Sequence, residues 1–274
     1  MKIGVFGLGI IGSVWANNLC RDGDIVCGWN RTAKPALPFF TADARDAAAR
    51  SDLLIIVVAD PPAVQQVLDQ IRPALHPGQI VIQSSTISPP ATLRFAAQVQ
   101  ATGAAFLEAP FTGSKPAAEQ RQTVFYVGGD PQVLEQARPV LARLSRAIEH
   151  IGPLGSASAL KLAMNINIAM IGQALCESLT YARAAGIADD RYFSALKLNV
   201  GHSGLATLKE PKLRAADFAP QFSLKHMAKD IRLTLESAGD RVLPQTQAVM
   251  KVYEAGLARG WGDDDFIGLL RLMK

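Results

Sequence analysis

Apolar positions recur along the chain with two different periods. In the first half, short apolar runs at 2–6, 24–29, 53–58 and 79–82 alternate with segments of helical spacing at 13–21, 42–50, 63–75 and 91–101. Runs of that length fit strands buried on both faces, and their alternation with helices predicts a parallel sheet covered on both sides. Strand patterns at 105–110, 123–127 and 147–151, with a helical stretch at 131–144, extend the same order. From Ser156 onward the strand pattern stops, and 173–185, 190–199, 224–238 and 244–260 all read as helix.

One long helix joins the halves. Gly155-Ser156 after Pro153 offers an N-terminal cap, and no proline follows before Gly186. The helix therefore runs for about 30 residues, roughly 45 Å. Apolar residues lie on every side of it, as in a helix enclosed by other helices. Lys161, Asn165, Asn167, Gln173 and Glu177 interrupt the run too often for a membrane span. The pattern predicts an α/β chain: a Rossmann-type, doubly wound sheet domain over 1–154, joined by the long helix to an all-α domain over 155–274.

At 274 residues, 49% hydrophobic and 19% charged, the chain can bury a core in each of two domains. The net charge of +4 comes from scattered basic residues with no polybasic run, which argues against nucleic acid as a partner and favours small anions. Cys20, Cys27 and Cys176 form no CxxC pair, and the chain enters a strand pattern directly, without a signal peptide. These features place it in the cytoplasm.

The first strand runs straight into Gly7-Leu8-Gly9-Ile10-Ile11-Gly12 and then a helix. In that setting Gly7 makes the tight turn, Gly9 admits a pyrophosphate and Gly12 lets helix and strand approach, with phosphate on the helix N-terminus. The second strand ends in Asn30-Arg31-Thr32, where an NAD site places an acid for the ribose hydroxyls. Arginine with Asn and Thr donors suits a 2′-phosphate instead, so the expected cofactor is NADP. Later strands end in polar turns at the carboxyl edge of the sheet, among them Ser85-Thr86, which could equally cap the following helix. Thr112-Gly113-Ser114 converges several donors and would suit a carboxylate, although such turns also occur without a ligand.

On the long helix, Lys161 and Asn165 stand four apart and share a face. From this helix alone, a snorkelling lysine beside a satisfied asparagine explains the pair better than a functional role does. The cluster Lys225, His226, Lys229, Asp230 reads either as a solvated face or as a contact surface, and Asp263-Asp264-Asp265 as a loop before the last helix, with no metal assigned.

In order and spacing, Gly7 to Gly12, Ser85-Thr86-Ile87-Ser88-Pro89, Ala109-Pro110 with Gly113-Ser114, Gly155 through Lys161 to Asn165, and Lys229-Asp230 resemble the β-hydroxyacid dehydrogenase family. Asn30-Arg31-Thr32, Gly113 to Pro116 and Phe222 to Asp230 look most like its glyoxylate and succinic semialdehyde reductase branch. The resemblance implies that Lys161 is the catalytic acid/base and Asn165 orients it or the substrate. It implies that Thr112, Gly113 and Ser114 hold a substrate carboxylate and that Thr86 and Lys229 touch the cofactor. The activity implied is reduction of a small aldehyde or 2-oxo acid by NADPH, with a lysine whose ordinary pKa of about 10.4 falls on desolvation beside cations and cofactor. A 3-hydroxyisobutyrate-type dehydrogenase would share every site residue, an imine reductase usually lacks the lysine, and a non-catalytic NADP-binding module would have no use for it. The chain departs from the family pattern at Gln83 for an aspartate, Thr112 for a serine, Arg121 for a glycine, and Ile267-Gly268 for a small polar pair. Arg121, just after the carboxylate loop, bears on substrate identity. An apolar long helix also predicts a homodimer or homotetramer that covers it.

Overall fold

A computed structural model describes residues 1–273 and divides into two compact units, the first ending at Lys161 and the second starting at Leu162. In the first unit, β1 (Lys2–Phe6), α1 (Ile10–Arg21), β2 (Ile25–Trp29), α2 (Ala44–Ala49), β3 (Leu53–Ile56), α3 (Pro61–Ile71), β4 (Ile80–Gln83), α4 (Pro89–Gln100) and β5 (Ala105–Glu108) alternate as the periodicity predicts. There follow β6 (Phe111–Thr112), α5 (Lys115–Glu119), β7 (Thr123–Gly128), α6 (Pro131–Ala142) and β8 (Ser145–Gly152). The strands form one sheet in the order β2-β1-β3-β4-β5-β7-β6, with β8 paired to β7. Strands β1 to β5 are parallel, but β7 runs antiparallel to β5 and β6, so the sheet is mixed beyond β5. β5 and β6 run the same way, joined by Ala109-Pro110 alone, and the chain reverses between β6 and β7, across the short α5.

Alternation along the strands fills both faces. Leu53, Ile55, Ile80 and Ile82 join one core with Trp15, Leu19 and Phe125, whereas Leu54, Ile56 and Val81 join the other with Val64, Leu68 and Phe95. The chain leaves β1 for β2 on one side and β3 on the other, so the turn after β1 lies at the switch point where such sheets bind ligands.

The helix α7 (Ser156–Ala184) spans 29 residues and crosses from the first unit into the second. The second unit continues with α8 (Asp189–Lys197), α9 (Gly204–Ala215), α10 (Leu224–Ser237), α11 (Pro244–Ala258) and a 3₁₀ segment, Phe266–Leu272. Its core sets Ala169, Cys176 and Leu179 of α7 against Met227 and Ile231 of α10, Tyr253 of α11 and Ile267. Helix α9 was not legible in the periodicity, because Gly204 opens it and Pro211 sits inside it.

By length and composition alone α7 could cross a membrane. It is not apolar-and-covered on every side, however. Ser158, Lys161, Leu162, Asn165, Ala169, Gln173, Cys176 and Leu179 are buried at three- and four-residue spacing, while Met164 and Tyr181 stand open. The polar members of that buried face mark a core helix with one covered stripe.

Candidate active site

The glycine turn between β1 and α1 is shaped by the protein at two positions and left open at the third. Gly7 has φ of 106°, and a Cβ there would collide with Val57 O; a Cβ on Gly12 would collide with Gly7 O. A Cβ on Gly9 would meet nothing within 4 Å. Packing therefore does not demand Gly9, and its bareness keeps free the space in front of the N-terminus of α1. That end carries no side-chain cap, so the first backbone N–H groups and the helix dipole face the space. The arrangement fits the pyrophosphate of a dinucleotide.

The loop after β2 braces this turn. Asn30 accepts from Leu8 N at 2.9 Å and donates to Thr32 O at 2.8 Å, while Lys34 Nζ and Ser13 Oγ donate to Leu8 O at 2.6 and 2.8 Å. Arg31 and Thr32 are exposed. Asn30 thus shapes the turn, and Lys34 adds a second cation beside Arg31. Sequence reading passed over Lys34; its signal was a lysine four residues after Asn30 in a loop without an acid.

Ser85 and Thr86 do not cap α4, whose N-cap is Ser88. Ser85 Oγ instead accepts from Val58 N at 2.8 Å, tying the ends of β3 and β4 together. The fully buried Gln83 clasps Ser85 through both backbone groups, accepting from its N at 2.5 Å and donating to its O at 3.0 Å. An aspartate could only accept, so the amide at 83 satisfies a carbonyl that a carboxylate would leave bare. Thr86 is half-buried beside this clasp.

Thr112 ends β6, Gly113 takes φ of 125° and Ser114 is the N-cap of α5 without a side-chain bond to it. Among the described residues the Thr112 and Ser114 hydroxyls are committed to no hydrogen bond, which leaves them available. Arg121 does not point into this loop. It sits at φ of 59° and pairs through both terminal nitrogens, each at 2.7 Å, with the Asp22 carboxylate. The expectation that it bears on the substrate is therefore corrected: a positive φ turns the residue toward the α1–β2 connection. The guanidinium holds the Asp22 carboxyl below its ordinary value through hydrogen bonds and charge.

Helix α7 starts on Glu108, whose buried carboxylate accepts from Ala157 N at 2.9 Å, Ser158 N at 3.1 Å and the Ser158 hydroxyl. Lys161, one turn later, is 8% exposed and Asn165 2%, so the surface-snorkelling reading of the lysine does not describe its burial. Within the second unit Asn165 Nδ2 donates to Asp230 Oδ2 at 2.6 Å, and Lys229 Nζ lies 2.9 Å from Asp230 Oδ1. Asp230 is 1% exposed, and sequence reading had missed its link to Asn165. Lys225 turns elsewhere, to Asp263 at 2.5 Å. His226 hydrogen-bonds Ser223 Oγ through Nδ1 at 2.7 Å and stacks on Phe222. Burial first, then Lys229 and Lys225, hold its pKa below the ordinary value.

The three acids near the C-terminus each meet a different cation: Asp263 meets Lys225, Asp264 meets Arg271, and Asp265 meets the buried Lys209.

Residues 2–152 match the model of the NAD binding domain of 6-phosphogluconate dehydrogenase, and residues 155–273 that described as NAD-binding of NADP-dependent 3-hydroxyisobutyrate dehydrogenase. The chain is 30% identical to 2-hydroxy-3-oxopropionate reductase of Escherichia coli, over 100% of this chain and 97% of that protein. It is 28% identical to the chloroplastic glyoxylate/succinic semialdehyde reductase 2 of Arabidopsis thaliana, covering 100% of this chain and 80% of the relative. Among solved structures, the 3-hydroxyisobutyrate dehydrogenase of Mycobacterium tuberculosis with L-serine superposes with a TM-score of 0.91 at 26% identity, over 100% and 99% of the two chains.

Proposed function

Because the chain belongs to the β-hydroxyacid dehydrogenase family and is an NAD(P)-dependent oxidoreductase, we propose that it reduces a small carboxylate-bearing aldehyde or 2-oxo acid with NADPH, in the manner of glyoxylate and succinic semialdehyde reductases. The observation that carries the reading is Lys161: a lysine residue only 8% exposed, one turn beyond the anchored start of α7 and one turn before Asn165. A buried lysine is rare without a task.

In this reading the bound nicotinamide supplies hydride to the carbonyl carbon. Lys161 donates the proton that the carbonyl oxygen needs, and Asn165 fixes the lysine or the substrate against it. The uncommitted hydroxyls of Thr112 and Ser114, with the Gly113 backbone between them, hold the substrate carboxylate. Gly7, Leu8, Gly9, Ile10, Ile11 and Gly12 carry the pyrophosphate, Thr86 and Lys229 touch the cofactor, and Arg31 and Thr32 with Lys34 take the 2′-phosphate on a loop that Asn30 holds in place. The open face of α7 at Met164 and Tyr181 supports assembly into a dimer or tetramer, to be read by light scattering. Free Cys20, Cys27 and Cys176 support a reducing compartment, the cytoplasm, to be read by fractionation.

A second reading, oxidation of a 3-hydroxy acid, is favoured by the match of residues 155–273 to the 3-hydroxyisobutyrate dehydrogenase model. One set of rates separates the two: NADPH oxidation with glyoxylate, succinic semialdehyde and 2-hydroxy-3-oxopropionate, against NADP reduction with 3-hydroxyisobutyrate and L-serine. Lys161→Ala should lower kcat by about two to four orders of magnitude while NADPH still titrates normally. Near-normal kcat in that variant would remove the proton donor and the reading with it.

A further inference from the structure

Glu108 stands at the junction of two parts of the site. It is the last residue of β5, fully buried, and Ala109-Pro110 connect it to the stretch Phe111-Thr112-Gly113-Ser114. Its carboxylate is spent on the first turn of α7, through Ala157 N, Ser158 N and the Ser158 hydroxyl. Thr92 of α4 shares a hydrogen bond of 2.8 Å with Ser158 Oγ, so a chain of hydroxyls ends on the carboxylate. Room for the side chain comes from Gly128 on β7, where a Cβ would overlap Glu108 Oε1. A carboxylate out of water is unfavourable unless its oxygens are matched, and here two orphan N–H groups of a helix start, a hydroxyl and the positive end of the helix dipole match them.

Ser158 precedes Lys161 by three positions, which puts the two on one side of the helix a turn apart. A helix held at its start by two backbone donors on one carboxylate cannot slide along its axis or rotate about it without breaking them. The rotation of the first turn is what sets the direction in which Lys161 leaves the helix. We propose that Glu108 is a positioning residue for Lys161, tying the loop that bears Thr112 and Ser114 to the first turn of α7 and so fixing where the lysine amino group lies. The proposal rests on the reading of Lys161 as proton donor. Glutamate suits the task because aspartate, one methylene shorter, would not reach both backbone donors, and glutamine would turn an N–H toward one of them.

The test is a double-mutant cycle between Glu108→Gln and Lys161→Ala, read as kcat with NADPH and succinic semialdehyde or whichever of the three carbonyl substrates turns over fastest. NADPH affinity is read separately by fluorescence titration. With Lys161 present, Glu108→Gln should lower kcat roughly 10- to 100-fold, the scale of a displaced catalytic group. In the Lys161→Ala background it should lower kcat by less than about twofold, because the group it positions is gone. NADPH affinity should stay within about twofold of wild type, since the glycine turn is untouched. Hydrogen exchange over residues 155–163 should speed up without change elsewhere in the chain. Ser158→Ala, which keeps both backbone donors, should show the same pattern at a few-fold size, and it decides the matter if Glu108→Gln does not fold. An equal loss in both backgrounds, or a fall in NADPH affinity parallel to kcat, overturns the proposal and leaves a purely structural glutamate. Lys161→Ala at wild-type kcat removes the proton-donor reading and this proposal together, whereas a large loss there with an additive cycle removes this proposal alone.

Discussion

Arg121 and Asp22 meet through two bonds of 2.7 Å each, across 99 positions of chain, and the arginine adopts a left-handed backbone to do so. That conformation is unfavourable for a residue with a Cβ by about 1–2 kcal/mol. The pair is partly exposed and stabilises by less than about 1 kcal/mol. The two nearly offset each other. Arg121→Gly should therefore leave stability within about 1 kcal/mol of wild type, whereas Arg121→Ala loses the pair, keeps the strain and should melt lower than both. Neither should change KM for the carbonyl substrate more than about twofold, because the side chain faces Asp22 and not the carboxylate loop. Calorimetry beside steady-state kinetics checks both statements, and a large rise in KM would return Arg121 to the substrate.

Cofactor choice should depend on the loop after β2. Arg31 is exposed and Lys34 lies at the Leu8 carbonyl, and no acid follows β2 to meet a ribose hydroxyl. Arg31→Ala should cost NADPH about 1.5–3 kcal/mol of binding, as for a hydrogen bond to a charged group, and leave NADH nearly unchanged. Lys34→Ala should weaken both cofactors, because Lys34 also braces the turn that carries the shared pyrophosphate. Equal efficiency of NADPH and NADH in the unmodified protein would contradict the assignment.

Stability should fall on mild acidification through His226. Burial, Lys229 and Lys225 depress its pKa, while Asp230 and Asp263 oppose them more weakly. Below about pH 6.5 the unfolded chain takes up a proton that the folded ring still refuses, so the unfolded state binds more protons and stability rises with pH across that window. The contribution is whole above about 6.5 and is lost as pH falls toward and through the lower folded value. Melting temperatures between pH 8 and 5 should show a step in wild type that Glu- and Asp-driven acid loss cannot produce, being absent in His226→Gln. A step of equal size in both proteins would assign it to another group.

How much the chain announces follows from the range of the interactions concerned. Gly7, Gly9 and Gly12 were legible because strand, turn and helix are consecutive; in the structure a Cβ at Gly7 or Gly12 would collide with backbone, whereas Gly9 borders open space. The long helix was legible from its caps and the absence of proline, and its 29 residues match the length expected. Contacts at long range were not. Asp265 read as part of an acidic run, yet its carboxylate lies 2.8 Å from Lys209, 56 positions away, and accepts from Gln221 N and Ile267 N. Glu108 read as one position inside the strand pattern at 105–110, and only the return of the chain at Ala157 shows what it holds. Helix α5 and strand β6 are too short to carry a period, and Arg121 was misjudged because nearness in sequence says nothing about a side chain turned by a positive φ.

Asp230 decides which way the Asn165 amide faces. A carboxylate can only accept, so the atom 2.6 Å from Asp230 Oδ2 has to be the amide nitrogen, and the amide oxygen is left to accept from another donor. Asn165→Ala should lower kcat less than Lys161→Ala does, on the order of 10-fold to 100-fold, because an orienting partner is lost and not the proton. Asp230→Leu should approach the same loss without touching Asn165 itself, since the amide is then free to flip. Asn165→Asp is the sharper probe. It keeps the shape but sets two carboxyl groups at hydrogen-bond distance in a place that is 1–2% exposed, which raises the pH at which the second of them loses its proton. Its activity should therefore depend on pH in a range where the wild type is flat, recovering as the pH is lowered and one oxygen again carries a hydrogen. The measurement is kcat against pH for wild type and Asn165→Asp, with circular dichroism to show that the helices persist. Parallel profiles for the two proteins would mean that Asp230 does not orient the residue at 165 in the working enzyme.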